Sequence, residues 1–178
     1  SLVQDVEKLT IIPLYPQYAS STTGSPLELC FDLLKKLNNI PTVEVIHDFF
    51  SKPWYLDAVT KVAKPYLQHY MPDHVLFSFH GLPIRHIQQS EKQVCGQTLD
   101  CPPLQRENRF CYRAQCFAMS KMLAHQLGFA HNYSVAFQSR IGKIAWVQPY
   151  LENHIKVLAK KGVKRLCIIC PSFVTDCL

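Results

Sequence analysis

The chain is 178 residues long, 48% apolar, with a formal net charge of +6 and eight cysteines. That length allows one sizeable domain or two small ones. No run of about 18 apolar residues offers a transmembrane helix, the opening Ser-Leu-Val-Gln-Asp shows neither region of a secretory signal, and the basic residues are not striped among aromatics, which argues against nucleic acid as a partner.

Apolar segments alternate with helical patterns along the chain, which predicts an α/β architecture with a parallel sheet. The predicted strands are residues 9–14, 43–46, 75–79, 133–137 and 166–170. The first helix opens at Ser25-Pro26, with serine as N-cap and proline at the first helical position. Leu29, Leu33, Leu34 and Leu37 supply its apolar face. The second helix covers residues 54–70, interrupted or bent by Pro65. The third covers 108–127 and is ended by Gly128. The fourth covers 144–161 and is ended by Gly162, with Pro149 near its start. Lys160, Lys161, Lys164 and Arg165, the densest basic group, then sit at a helix C-terminus, where they complement its dipole. Residues 88–106 have no strand or helix period and contain Pro102-Pro103; a loop this long inside a compact domain is usually functional or disordered.

His80 is the most informative residue. It follows Val75-Leu76-Phe77-Ser78-Phe79 and precedes Gly81-Leu82-Pro83, so a buried parallel strand delivers an imidazole to a loop at its carboxyl end. Ligands of open α/β sheets bind beyond the carboxyl ends of the strands. An imidazole there can take a proton or ligate a metal near neutral pH, or merely cap the strand.

Four motifs extend the reading. They are Leu14-Tyr15-Pro16-Gln17-Tyr18 followed by Ser21-Thr22-Thr23-Gly24-Ser25; Phe79-His80-Gly81-Leu82-Pro83; Phe137-Gln138-Ser139-Arg140-Ile141-Gly142; and Cys170-Pro171-Ser172-Phe173-Val174-Thr175-Asp176. In kind, order and interval they resemble the ferrochelatase family, across almost the whole chain. The resemblance implies a chelatase fold of two Rossmann-like halves with parallel sheets. Residues 1–50 would end the first half, and 51–178 would form most of the second, with a cysteine-rich insertion at 88–116. It implies an enzyme that inserts ferrous iron into a porphyrin, protoporphyrin IX or coproporphyrin III, in heme biosynthesis. His80 then corresponds to the base and metal-side ligand. Tyr15, Tyr18, Trp146 and Phe173 would offer flat apolar surface to the macrocycle, and Ser139 and Arg140 would hold propionates. Each has an ordinary alternative: core packing for the aromatics and a solvated surface side chain for the arginine. Asp176 neighbours the position of a family carboxylate that lies beyond Leu178, so only a supporting role falls to it. The chain has no initiator Met and ends without a helix after its last strand, so an internal piece of a longer protein, incomplete for catalysis, is expected. A cytoplasmic protein, at most peripheral at the inner membrane, is expected as well.

Cys95, Cys101, Cys111 and Cys116 form the pattern C-x5-C-x9-C-x4-C. Four thiols suit a tetrahedral zinc or an iron–sulfur cluster, and the first pair is wider than a zinc knuckle. Cys111 and Cys116 would diverge by about 140° on one regular helix, so Cys111 is placed at or before the helix start and Cys116 in its first turn. Disulfides or buried thiols are the alternative, and disulfides would need an oxidising compartment. The segment resembles the bacterial ferrochelatases that carry a 2Fe–2S cluster after the histidine loop, and this implies the same cofactor here. Cys30, Cys167 and Cys170 read as small buried hydrophobes. A cobalt chelatase of the same fold is a rival reading. A non-catalytic Fe–S or zinc-binding interaction module is another.

Overall fold

The computed structural model describes residues 6–90 and 101–175. Among them lie five strands: β1 (Lys8–Ile11), β2 (Thr42–Val45), β3 (His74–His80), β4 (Tyr133–Gln138) and β5 (Leu166–Ile169). The helices are α1 (Ser25–Leu34), α2 (Pro53–Tyr70), α3 (Ile84–Ser90), α4 (Tyr112–Leu127) and α5 (Leu151–Lys160). β1 and β2 pair in parallel as one sheet, and the other sheet has the order β4-β3-β5, also parallel.

The central strand is buried because its sequence allows nothing else. Val75, Leu76, Phe77 and Phe79 are each 0% exposed. A strand hidden on both faces needs an unbroken apolar run, and a parallel sheet covered by crossover helices hides both faces. Val75, Phe77 and Phe79 point to one side, where they join Val135 and Phe137 of β4 and side chains of α2 and α4. Leu76 points to the other, with Ala136 and with Leu151, Ile155 and Leu158 of α5. Full burial of one such Phe or Leu is worth roughly 1.5–3 kcal/mol, so this strand anchors the fold. Among the described residues, no helix is long and apolar enough to cross a membrane.

All five predicted strands are present, with ends shifted by at most three residues. The helices differ more. Ser25 lies inside α1 rather than capping it, because a π-helical turn at Ser20–Gly24 runs straight into that helix. α2 continues through Pro65 to Met71, which takes a left-handed φ of 42°. α4 starts at Tyr112 with Cys111 as N-cap, and Cys116 falls at its fifth residue, past the first turn. α5 begins at Leu151 instead of residue 144, because the preceding segment is drawn into β-like contacts: Trp146 bridges Pro83, and Tyr150 bridges Phe137. α3 has no counterpart in the predicted elements. Cys30 and Cys167 are half-buried and Cys170 is exposed, so none is the buried hydrophobe expected; β5 is an edge strand and leaves one side uncovered.

Candidate active site

Three strand ends converge. The loop after β1 contributes Leu14, Tyr15, Pro16, Gln17, Ser21 and Thr22; the end of β3 contributes His80 and Leu82; the segment after β5 contributes Ser172 to Thr175; and Tyr112 comes from the start of α4. Together they line a cleft of about 520 Å³. That is within the usual range for small-molecule sites, and it lies where parallel sheets place them.

The imidazole in this cleft has a fixed tautomer. His80 Nδ1 is 2.7 Å from the Gly81 carbonyl oxygen. A carbonyl only accepts, so Nδ1 carries the hydrogen, and in the neutral ring the lone pair is then on Nε2. Neighbouring bonds hold the turn: Gly81 N–H donates to Gln138 O at 2.8 Å, and the Tyr112 hydroxyl donates to His80 O at 2.8 Å. The Trp146 ring lies 6.5 Å from the imidazole, with its Nε1–H donated to Ile141 O at 3.0 Å.

A buried polar layer supports the cleft. Gln17 is 2% exposed; its amide donates to Met119 Sδ and accepts from the Ser172 hydroxyl. Gln115 is fully buried; it accepts the Tyr18 N–H at 2.8 Å and donates to Arg109 O at 2.6 Å. These bonds tie the β1 loop to α4 and to the segment after β5. Burial pushes the Tyr112 phenol and the Cys116 thiol well above their ordinary values. Both stay protonated at neutral pH for that reason.

A family model for ferrochelatase matches residues 2–178. The chain belongs to the ferrochelatase family. The "Ferrochelatase" of Legionella pneumophila (strain Corby) is 44% identical over 178 residues, covering 99% of this chain and 53% of that protein. The "Ferrochelatase" of Coxiella burnetii (strain Dugway 5J108-111) is 42% identical over 174 residues, covering 96% of this chain and 48% of that protein. The chain thus spans about half the length of these curated relatives. Its α/β fold with parallel sheets agrees with the chelatase fold of the ferrochelatases.

The residues singled out from ferrochelatase motifs have diverse placements. His80, Tyr15 and Phe173 share the cleft. Trp146 is 8% exposed and lies behind His80, outside the cleft lining. Tyr18 packs edge-on against Phe110 and His47, also off the lining. Ser139 and Arg140 are exposed beyond β4, and the Arg140 guanidinium sits 4.5 Å over the Tyr150 ring. Asp176 and Cys95 lie outside the described residues. Cys111 and Cys116 are fully buried, and Cys101 packs against the same core. Among the described residues, no group of three or more His, Cys, Asp or Glu could hold a metal ion. Tyr112, Gln17 and Gln115 were not singled out in advance. A tyrosine or glutamine in a helix or loop signals nothing until its partners are known.

Proposed function

We propose that the complete protein is a ferrochelatase: an enzyme that inserts ferrous iron into a porphyrin, protoporphyrin IX or coproporphyrin III, to form heme. The observation that carries this is the His80 imidazole, held as the Nδ1–H tautomer and exposed in a cleft at converging strand ends. Insertion replaces two pyrrole N–H bonds by bonds to the metal, and two protons leave. His80 Nε2 accepts one pyrrole proton and passes it to solvent, the other proton leaves to water in the open cleft, and the Nε2 lone pair can meet the substrate iron only while it carries no proton. Tyr15 and Phe173 are assigned to the flat walls of the macrocycle site. Trp146 supports the imidazole from behind, and Tyr18 anchors the β1 loop. Ser139 and Arg140 are assigned to propionates at the rim, which requires Arg140 to leave Tyr150. Asp176 is given a supporting role after β5.

Residues 1–50 and 51–178 are assigned to two halves of the fold, each with its own parallel sheet, with a cysteine-rich insertion at 88–116. Cys95, Cys101, Cys111 and Cys116 are proposed as ligands of a 2Fe–2S cluster. The support is chemical: four thiols in a short window, with Cys111 as the N-cap of α4. Cys101, Cys111 and Cys116 do not form a ligand group as placed, and a buried thiol must lose its proton to bind, so loading would reorganise this segment. A bound centre of this type exchanges one electron. A cytoplasmic location is proposed, and the net charge of +6 supports peripheral contact with an anionic membrane surface.

The deciding experiment is His80→Ala in the complete protein, assayed anaerobically with ferrous iron. Turnover should fall by at least roughly 10²–10⁴-fold while porphyrin still binds. Near-normal turnover removes His80 from the chemistry.

A further inference from the structure

We propose that Tyr112 is a positioning residue: its hydroxyl clamps the His80–Gly81 peptide and so sets the imidazole that faces the cleft. The inference rests on the reading of His80 as the base.

The geometry is specific to one peptide unit. Its carbonyl, His80 O, accepts from the Tyr112 hydroxyl at 2.8 Å. Its N–H, on Gly81, donates to Gln138 O at 2.8 Å. One polar atom is therefore held by α4 and the other by β4, and the plane of the peptide cannot rotate without breaking a bond. The following carbonyl, Gly81 O, takes the Nδ1 hydrogen of His80 at 2.7 Å. Three bonds in series run from a phenol to the ring whose Nε2 lone pair is used. Releasing the first lets the peptide plane turn, moves Gly81 O, and frees the imidazole to exchange tautomers.

Tyr112 is also placed to do this rather than simply to pack. It is 8% exposed and lines the cleft itself, and its hydroxyl ends on the His80 carbonyl oxygen. The same hydroxyl contacts the Cys116 thiol and Ser172, and Cys111 is the N-cap directly before it. The start of α4, with Cys111 as its N-cap and Cys116 as its fifth residue, is thus joined to the base through one side chain.

The test is Tyr112→Phe in the complete protein, which keeps the ring and removes only the donor. Nitrogen chemical shifts of the His80 ring, recorded at one pH without substrate, should change from a single Nδ1–H form to a tautomer mixture. The kcat for iron insertion should fall roughly tenfold with the porphyrin KM nearly unchanged, as for a misplaced reacting group. Gln115→Leu loosens the same end of α4 by removing two other hydrogen bonds and serves as the control. It should retain the His80 tautomer. An unchanged His80 spectrum in Tyr112→Phe, or the same change in both variants, overturns the clamp. The spectrum is read without turnover. If His80→Ala turned over normally while Tyr112→Phe still released the tautomer, the functional reading would fail and the clamp would stand.

Discussion

Gly81→Ala tests the site through packing alone. A Cβ at this position would lie 3.0 Å from Gln138 O and 3.2 Å from Trp146 Cε3, with Phe137 Cβ at 3.7 Å. Both close neighbours are pinned. Gln138 O belongs to β4 and already accepts the Gly81 N–H. Trp146 is held by its Nε1–H bond to Ile141 O, while Val147 N–H donates to Leu82 O and Ile84 N–H to Ala145 O on either side. Gly81 itself must therefore move by a few tenths of an ångström, which stretches its bond to Gln138 and carries His80 along. Overpacking of this kind costs about 1–3 kcal/mol, offset by about 0.4–1 kcal/mol from the lower entropy of the unfolded alanine chain. The net loss of roughly 0.5–2 kcal/mol lowers the melting temperature by about 1–8 °C for a domain of this size. Displacement of the imidazole should also reduce iron insertion by roughly 10- to 100-fold. Thermal unfolding followed by circular dichroism and an anaerobic insertion assay measure the two effects. A variant at least as stable as the parent, with full turnover, would show that Trp146 or β4 yields freely and would refute the reasoning.

Other expectations follow from single contacts. Gln115→Leu leaves the Tyr18 N–H without its acceptor and should cost about 2 kcal/mol, with faster proteolysis in the loop after β1. Tyr55→Phe removes the 2.7 Å bond from its hydroxyl to Pro171 O, which ties α2 to the cleft-lining segment after β5. A loss of about 1 kcal/mol is expected in denaturant titration. Burial, with weaker repulsion from Lys161, holds His74 and His154 below the ordinary imidazole value of 6.5, and His154 also repels His74. The unfolded chain then binds more protons, so their contribution is complete above pH 6.5 and is lost as pH falls from there through their lower folded-state values. Replacing both by Gln should flatten the decline of the denaturation midpoint between roughly pH 7.5 and pH 5.5; an unchanged slope would count against it.

The strands were legible because each is a short apolar run bounded by polar or turn-forming residues, and β3 is the plainest case. α3 was not: Ile87 is its one well-buried apolar side chain, so no 3.6-residue period can emerge from Ile84–Ser90. The π-helical turn at Ser20–Gly24 reads as a loop by composition, yet its Thr23 is fully buried. Residues 144–150 look helical in isolation. They are extended because Trp146 and Val147 pair with residues around Pro83, some sixty positions away, and tertiary pairing overrides local preference.

The chemistry of the site was more legible than its geometry. A histidine after an apolar run must stand at a strand end. The direction its ring takes depends on Tyr112 and Gln138, and neither partnership leaves a pattern in the sequence. Strand order sets a further limit. β4 and β5 both leave β3 at their carboxyl ends, so the loops that carry Ser139-Arg140 and Phe173 looked equivalent. They are not, because β4 and β5 flank β3 on opposite sides. The β5 side is tied to the loop after β1 by the Ser172–Gln17 bond; Phe173 lines the cleft, and Arg140 stacks on Tyr150 outside its lining. An arginine clamp on a propionate therefore requires a rim that reaches across β3, and Arg140→Ala should weaken binding of propionate-bearing porphyrins more than that of their methyl esters. Equal weakening of both would mean that Arg140 acts only through its contact with Tyr150.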